Sequence, residues 1–174
     1  MTYLELACRS LIALVFCVSA VSKIRTVSTF RDFNAWLAGM PIIPKRGHTA
    51  AAVVFVGGEL LIVGCLIIPA ANGLGFLLAA VLLVAFSAGI YLAMRQELRK
   101  PCLCFGASTL PLGWPHLARN AGLFCVALVG FLDAGAVGGR PAGIAISISA
   151  ALVLTLLFIF FDDLADLFLE TTPL

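Results

Sequence analysis

Charge is scarce in this sequence: Asp, Glu, Lys and Arg together make up 11% of its 174 residues, against about 25% in a typical soluble domain. A chain that is 62% hydrophobic cannot cover a water-facing surface with its own polar groups. A soluble globular fold is therefore excluded, and an integral membrane protein is expected. The net charge of +2 and the lack of a basic stripe interleaved with aromatic residues exclude a nucleic-acid partner. No phosphate loop, nucleophile elbow, paired carboxylates or dinucleotide fingerprint occurs, so the cytosolic enzyme classes those motifs mark are unsupported. A disulfide framework is excluded as well. Of the six cysteines, Cys8, Cys17, Cys65 and Cys125 lie inside apolar runs, where cysteine behaves as a small hydrophobe.

What is present is a series of apolar segments near the 20 residues that span a bilayer. They predict membrane helices over residues 3–22, 49–68, 74–94, 116–137 and 142–161, within a single transmembrane domain of residues 1–174. The first segment has features of a secretory signal, with Arg9 ahead of a short apolar run and Ser19-Ala20 resembling a cleavage site. It is read here as a retained spanning helix. Between the first two spans, Phe30, Phe33 and Trp36 recur at intervals of three, which predicts a short interfacial helix over Thr29 to Leu37 with its rings in the headgroup layer. Pro41 and Pro44 end it. Pro69 closes the second span, and the turn before the third is so short that the two helices must lie antiparallel. Small residues such as Gly57, Gly58, Gly64 and Gly130 suit close helix approach. The fold class expected is all-α, a compact antiparallel bundle of about five transmembrane helices.

The segment Lys100-Pro101-Cys102-Leu103-Cys104-Phe105-Gly106 points most directly to a reaction. Two thiols separated by one residue sit in a charged, polar-flanked loop where cysteine has no packing role. A disulfide across so small a ring is strained, and strain makes the bond easier to reduce. About 3 kcal/mol of strain would make the pair more oxidising by roughly 60 mV, which suits a disulfide that is passed on. Arg99 and Lys100 are placed to favour thiolate. A metal reading stays open, with both thiolates and His116 as ligands, although a closed zinc site wants four. Two unreactive cysteines at a helix end are the bland alternative.

Glu59, in Gly57-Gly58-Glu59-Leu60-Leu61, falls near the middle of the second span. An acid there costs about 2.5–3.5 kcal/mol even on lenient insertion scales, so it must be protonated, paired or turned into the bundle. Proton handling near the thiols and a plain polar clamp both fit. Lys23 ends the first helix on the cysteine side, and Arg119-Asn120 opens the fourth helix on the same side. Snorkelling to the headgroups accounts for Lys23 and Arg119 without any function. His116, after Trp114-Pro115, reads as an interfacial residue rather than a ligand, and Asp133 as a partner for Arg140 or Arg9.

The order of Lys23, Gly-Glu-Leu around Glu59, Cys102-x-Cys104-Phe105-Gly106 and Arg119-Asn120 resembles the MauE family of methylamine-utilisation membrane proteins, within the DoxX-like group. The resemblance runs from about Leu4 to Val137, and the C-x-C-F-G element is its most specific part. It implies a helical membrane protein tied to thiol–disulfide chemistry, supporting maturation of a disulfide-rich oxidoreductase subunit alongside a thioredoxin-fold partner. On that basis Cys102, Cys104 and Glu59 are the expected catalytic residues, with Lys23, Lys100, Arg119 and Asn120 in support. Membrane thiol oxidoreductases of the DsbB and vitamin K epoxide reductase type use quinone. That is analogy, and no quinone signature is visible, so no cofactor or bound metal is predicted.

Rival readings are a non-catalytic membrane subunit that anchors or assembles an oxidoreductase complex, and a metal-binding membrane protein. The expected location is the bacterial inner membrane. Cations cluster around the first and third loops, while the opposite side has only Arg9 and Arg140. The positive-inside rule then puts the cysteine loop in the cytoplasm and the N-terminus outside. A periplasmic partner would need the reverse.

Overall fold

In the computed structural model, residues 3–39, 47–96, 113–133 and 141–161 are described. Among them the architecture is all-α: helices α1 (Tyr3–Ile24), α2 (Val27–Ala38), α3 (His48–Ile67), α4 (Asn72–Arg95), α5 (Trp114–Leu132) and α6 (Pro141–Ile159), with one 3₁₀ turn at Pro69–Ala71 between α3 and α4. Five helical segments, all but α2, are long and apolar enough to cross a membrane. The fourth starts at Trp114, two residues before His116, because Pro115 sits in the first turn, where its missing N–H would have had no helical partner. Residues 134–137, which the sequence assigned to that span, lie outside the described residues.

The first helix is the hub. Its buried positions, Cys8, Leu11, Ile12, Val15, Phe16, Ser19 and Lys23, recur at three- and four-residue steps and so share one face. That helix packs against α3, α5 and α6, while α3 packs on α4 and α4 on α5. The central core joins Leu11, Ile12, Ile62, Leu66, Phe76, Leu83 and Leu123. The outward faces are apolar too, with Val54, Leu61, Val81 and Ile146 exposed. In a bilayer those side chains meet lipid, which asks nothing polar of them. Close approach of α4 and α5 depends on Gly130: a Cβ there would stand 2.4 Å from the Phe76 ring.

The short second helix does not do what its spacing predicts. It opens on a capping box, in which the Thr29 N–H donates to Thr26 Oγ1 and the Thr26 N–H to Thr29 Oγ1, each at 3.2 Å. The Thr29 hydroxyl also donates to the Lys23 carbonyl at 3.2 Å, tying the helix to the end of α1. Phe33, Trp36 and Leu37 are buried, packed with Ala52 and Val56 of α3 and Ile90 and Ala93 of α4. Phe33 and Trp36 therefore face the bundle instead of the headgroup layer. A three-residue interval defines a stripe but not its partner, and here α3 and α4 supply that partner.

Candidate functional site

Ser19 and Lys23 are four residues apart on α1, so their side chains lie one above the other on the face turned to α3. The Lys23 ammonium donates to Glu59 Oε1 at 2.7 Å and to Ser19 Oγ at 2.6 Å. The Ser19 hydroxyl in turn donates to the same Glu59 oxygen at 2.8 Å. A third donation reaches the Ser19 carbonyl at 3.3 Å. Phe33 of α2 and Phe86 of α4 close over the ammonium, with ring centroids 5.3 and 5.8 Å away. The result is an ion pair sealed from solvent, with Lys23 2% and Glu59 0% exposed. Burying two charges is tolerated because each meets its opposite and the remaining donors find oxygens or ring faces.

His116, Arg119 and Asn120 recur at helical spacing on α5 and are buried on its inward face. Arg119 and Asn120 join Ser19, Glu59, Val15, Phe16, Leu83, Phe86 and Leu123 around an internal cavity of about 20 Å³. That is room for about one water molecule. Glu59 belongs to that wall, and its Oε2 has no hydrogen-bond partner among the described residues. Asn120 also donates to Ser87 Oγ of α4 at 3.4 Å.

The structure thus brings together Lys23, Glu59, Arg119 and Asn120 from three helices. Cys102, Cys104 and Lys100 lie outside the described residues. The described chain leaves at Gln96 and returns at Gly113, at the end of the bundle where α2 packs with Ala93, Met94 and Leu117. Lys23 and Arg119 do not snorkel: Arg119 is 1% exposed, and both heads point into protein. His116 is likewise buried instead of interfacial, at 0% exposed. All three turn inward because they occupy the packed faces of α1 and α5, which hydropathy alone cannot orient. Among the described residues no group of three or more His, Cys, Asp or Glu is placed to hold a metal.

Phe86 and Ser87 were missed in the sequence, and Ser19 and Phe33 were read there without a part in this site. Only Ser19 carried a signal, standing four residues before Lys23. A second polar group, at the other end of α1, was missed too. Glu5 is buried and accepts from Asn72 Nδ2 at 2.9 Å. Arg9 donates to the Leu66 and Ile67 carbonyls, which close α3.

With this geometry in place, comparison with protein families is decisive. The family model described as methylamine utilisation protein MauE matches residues 1–133. The chain belongs to the MauE family. It is a multi-pass membrane protein of that family, and the matched stretch carries α1 to α5, hence every described residue of the Lys23–Glu59 group. Helix α6 lies beyond the MauE match. No curated protein and no solved structure matches the chain.

Proposed function

We propose that this MauE-family protein is a membrane thiol–disulfide redox protein, in which Cys102 and Cys104 exchange electrons with a thioredoxin-fold partner. The observation that carries the reading is the sealed Lys23–Glu59–Arg119 group. It lies toward the bundle end where the chain bearing the two cysteines departs at Gln96 and returns at Gly113. Charges are expensive inside a bilayer and mark functional positions by default. In the exchange, one partner thiolate attacks the Cys102–Cys104 disulfide and a mixed disulfide forms. The second partner thiolate then releases the pair as two thiols, so two electrons and two protons pass from partner to pair. Run backwards, the same steps reduce the partner. Glu59 serves as proton acceptor for the attacking thiol and hands that proton to the departing thiolate, through the water-sized cavity that it lines. Lys23 and Arg119 bias the site toward thiolate.

Methylamine utilisation, the process in the family's description, supplies a candidate client: an oxidoreductase subunit rich in disulfides. The membrane is taken as the bacterial inner membrane. With Lys23 and Arg119 buried, the cations that still bear on orientation are Arg25, Arg31, Lys45, Arg46, Arg95, Arg99 and Lys100, against Arg9 and Arg140 opposite. The bias keeps its sign and favours a cytoplasmic cysteine loop.

Thiol trapping with a mass-adding maleimide tests the reading directly. Chains equilibrated in glutathione buffers should pass between fully blocked and fully labelled forms at Cys102 and Cys104. Cys102→Ser and Cys104→Ser should each abolish client maturation. If the double serine chain matures the client as well as the wild type does, the proposal is wrong. The same reagent in impermeant form, applied to intact and opened cells, reports which side the pair faces.

A further inference from the structure

A pair that hands on disulfides needs something to take its electrons, and the described residues include a place where a bilayer-dissolved acceptor fits. Between α4 and α5 lies a groove of about 480 Å³, within the roughly 300–1,000 Å³ usual for small-molecule sites. Leu83, Leu117 and Phe124 give it apolar walls, and Ser87, Tyr91 and Asn120 add polar groups. Its rim residues Ala88 and Ala121 are exposed, on helices whose outer faces meet lipid. The Asn120 amide reaches Ser87 at 3.4 Å, longer than the 2.7–3.2 Å of a good N–H···O bond, so it can turn to a better acceptor. Asn120 and Leu83 also wall the internal cavity beside Glu59, so the groove and the charged site have two residues in common.

Resting on the thiol–disulfide reading, we propose that this groove binds the head of a lipophilic quinone. The length of chain outside the described structure supports that occupant. Gln96 stands five residues past Tyr91 on α4, and Gly113 four before Leu117 on α5, so the cysteine-bearing chain is anchored about 6–8 Å along the helices from the groove. Cys102 is six residues beyond Gln96, a reach of at most about 20 Å. An acyl chain of phospholipid has no use for an amide and two hydroxyls, whereas a quinone carbonyl accepts hydrogen bonds from them. The reaction balances without another reagent. Two S–H bonds at Cys102 and Cys104 break, one S–S bond forms, and the quinone gains two electrons and two protons as hydroquinone.

Protein in phosphatidylcholine nanodiscs, with decyl-ubiquinone as the probe, tests the proposal. The Cys102→Ser/Cys104→Ser chain should bind the probe saturably, because binding needs the groove and not the thiols. Ala121→Trp fills the groove from its exposed rim and should weaken binding about tenfold or more, while Val81→Trp, exposed on α4 outside the groove, should leave it unchanged. With cysteines present, Ala121→Trp should slow oxidation of the reduced pair by the probe about tenfold or more, and leave its equilibrium with glutathione in place. Equal binding by wild type and Ala121→Trp, or partition into lipid without saturation, overturns the proposal and leaves the groove to phospholipid. A pair inert to glutathione, in a chain that still binds the probe at the groove, upholds the groove as a site and overturns the thiol reading alone.

Discussion

Replacing Lys23 by methionine removes the ammonium while keeping a long, apolar stem, and the structure fixes what is lost. The ammonium stands 2.7 Å from Glu59 and 2.6 Å from the Ser19 hydroxyl, beneath Phe33 and Phe86. Without it, the Glu59 carboxylate loses the cation that stands at hydrogen-bond distance, and its way out is to take up a proton. Neutralising a carboxyl group of ordinary acidity costs about 1.4 kcal/mol per pH unit, hence about 3–4 kcal/mol at pH 7. Losing the ring contacts costs about 0.5–2 kcal/mol, and methionine sulfur against the same rings returns a comparable amount. The expected loss is about 3–4 kcal/mol, in line with the cost of removing one partner of a buried pair. Adding Glu59→Leu removes the charge that needs an answer and should bring stability back to within about 1–2 kcal/mol of wild type. Unfolding in mixed micelles of rising SDS fraction, followed by circular dichroism for all four chains of the cycle at pH 7, measures this. A Lys23→Met chain as stable as wild type at pH 7 refutes the reasoning. So does a double variant no more stable than the single one.

Further outcomes follow from other contacts. Gly130→Ala should cost about 1–3 kcal/mol in the same assay, since its Cβ would meet the buried Phe76 ring at 2.4 Å. Gly57→Ala, with nothing within 4 Å of its Cβ, should be neutral or mildly stabilising, and equal losses at both positions would contradict the packing. Arg9→Ala strips two α3 carbonyls of their donor and should cost about 1–3 kcal/mol. Arg9→Lys should recover only part, because an ammonium lacks the guanidinium fork. Cys17 and Cys125 are exposed on outer faces, whereas Cys8 and Cys65 are buried. In a Cys102→Ser/Cys104→Ser background, a permeant maleimide should label the first two well ahead of the others by mass spectrometry.

Much of the fold was legible because bilayer crossing is a local property. Runs of apolar residues punctuated by Pro69, Pro115 and the glycine turns reveal the helices without any knowledge of their neighbours. Rotation about each helix axis is not local, and there the reading failed. Lys23 and Arg119 look like headgroup anchors from their place near helix ends, and His116 looks interfacial beside Trp114. Only the packing of α1, α3 and α5 turns them inward. Glu59 was recognisable because a mid-span acid demands an explanation, but its partner, 36 residues away, was one cation among several. Glu5 was not singled out at all, because a carboxylate in the first turn of a helix needs no partner until packing buries it. The stripe of Phe30, Phe33 and Trp36 was found correctly and assigned to the wrong environment.

The Lys23–Glu59 contact also constrains how the protein is made. Lys23 is synthesised 36 residues before Glu59, and at roughly 5–20 residues per second that interval lasts about 2–7 seconds. Throughout it the newborn first helix carries an uncompensated cation, held at the water's edge by its place in the final turn. Only when the third helix emerges can that cation meet its carboxylate. A nascent chain halted between the two helices leaves the first one without that partner.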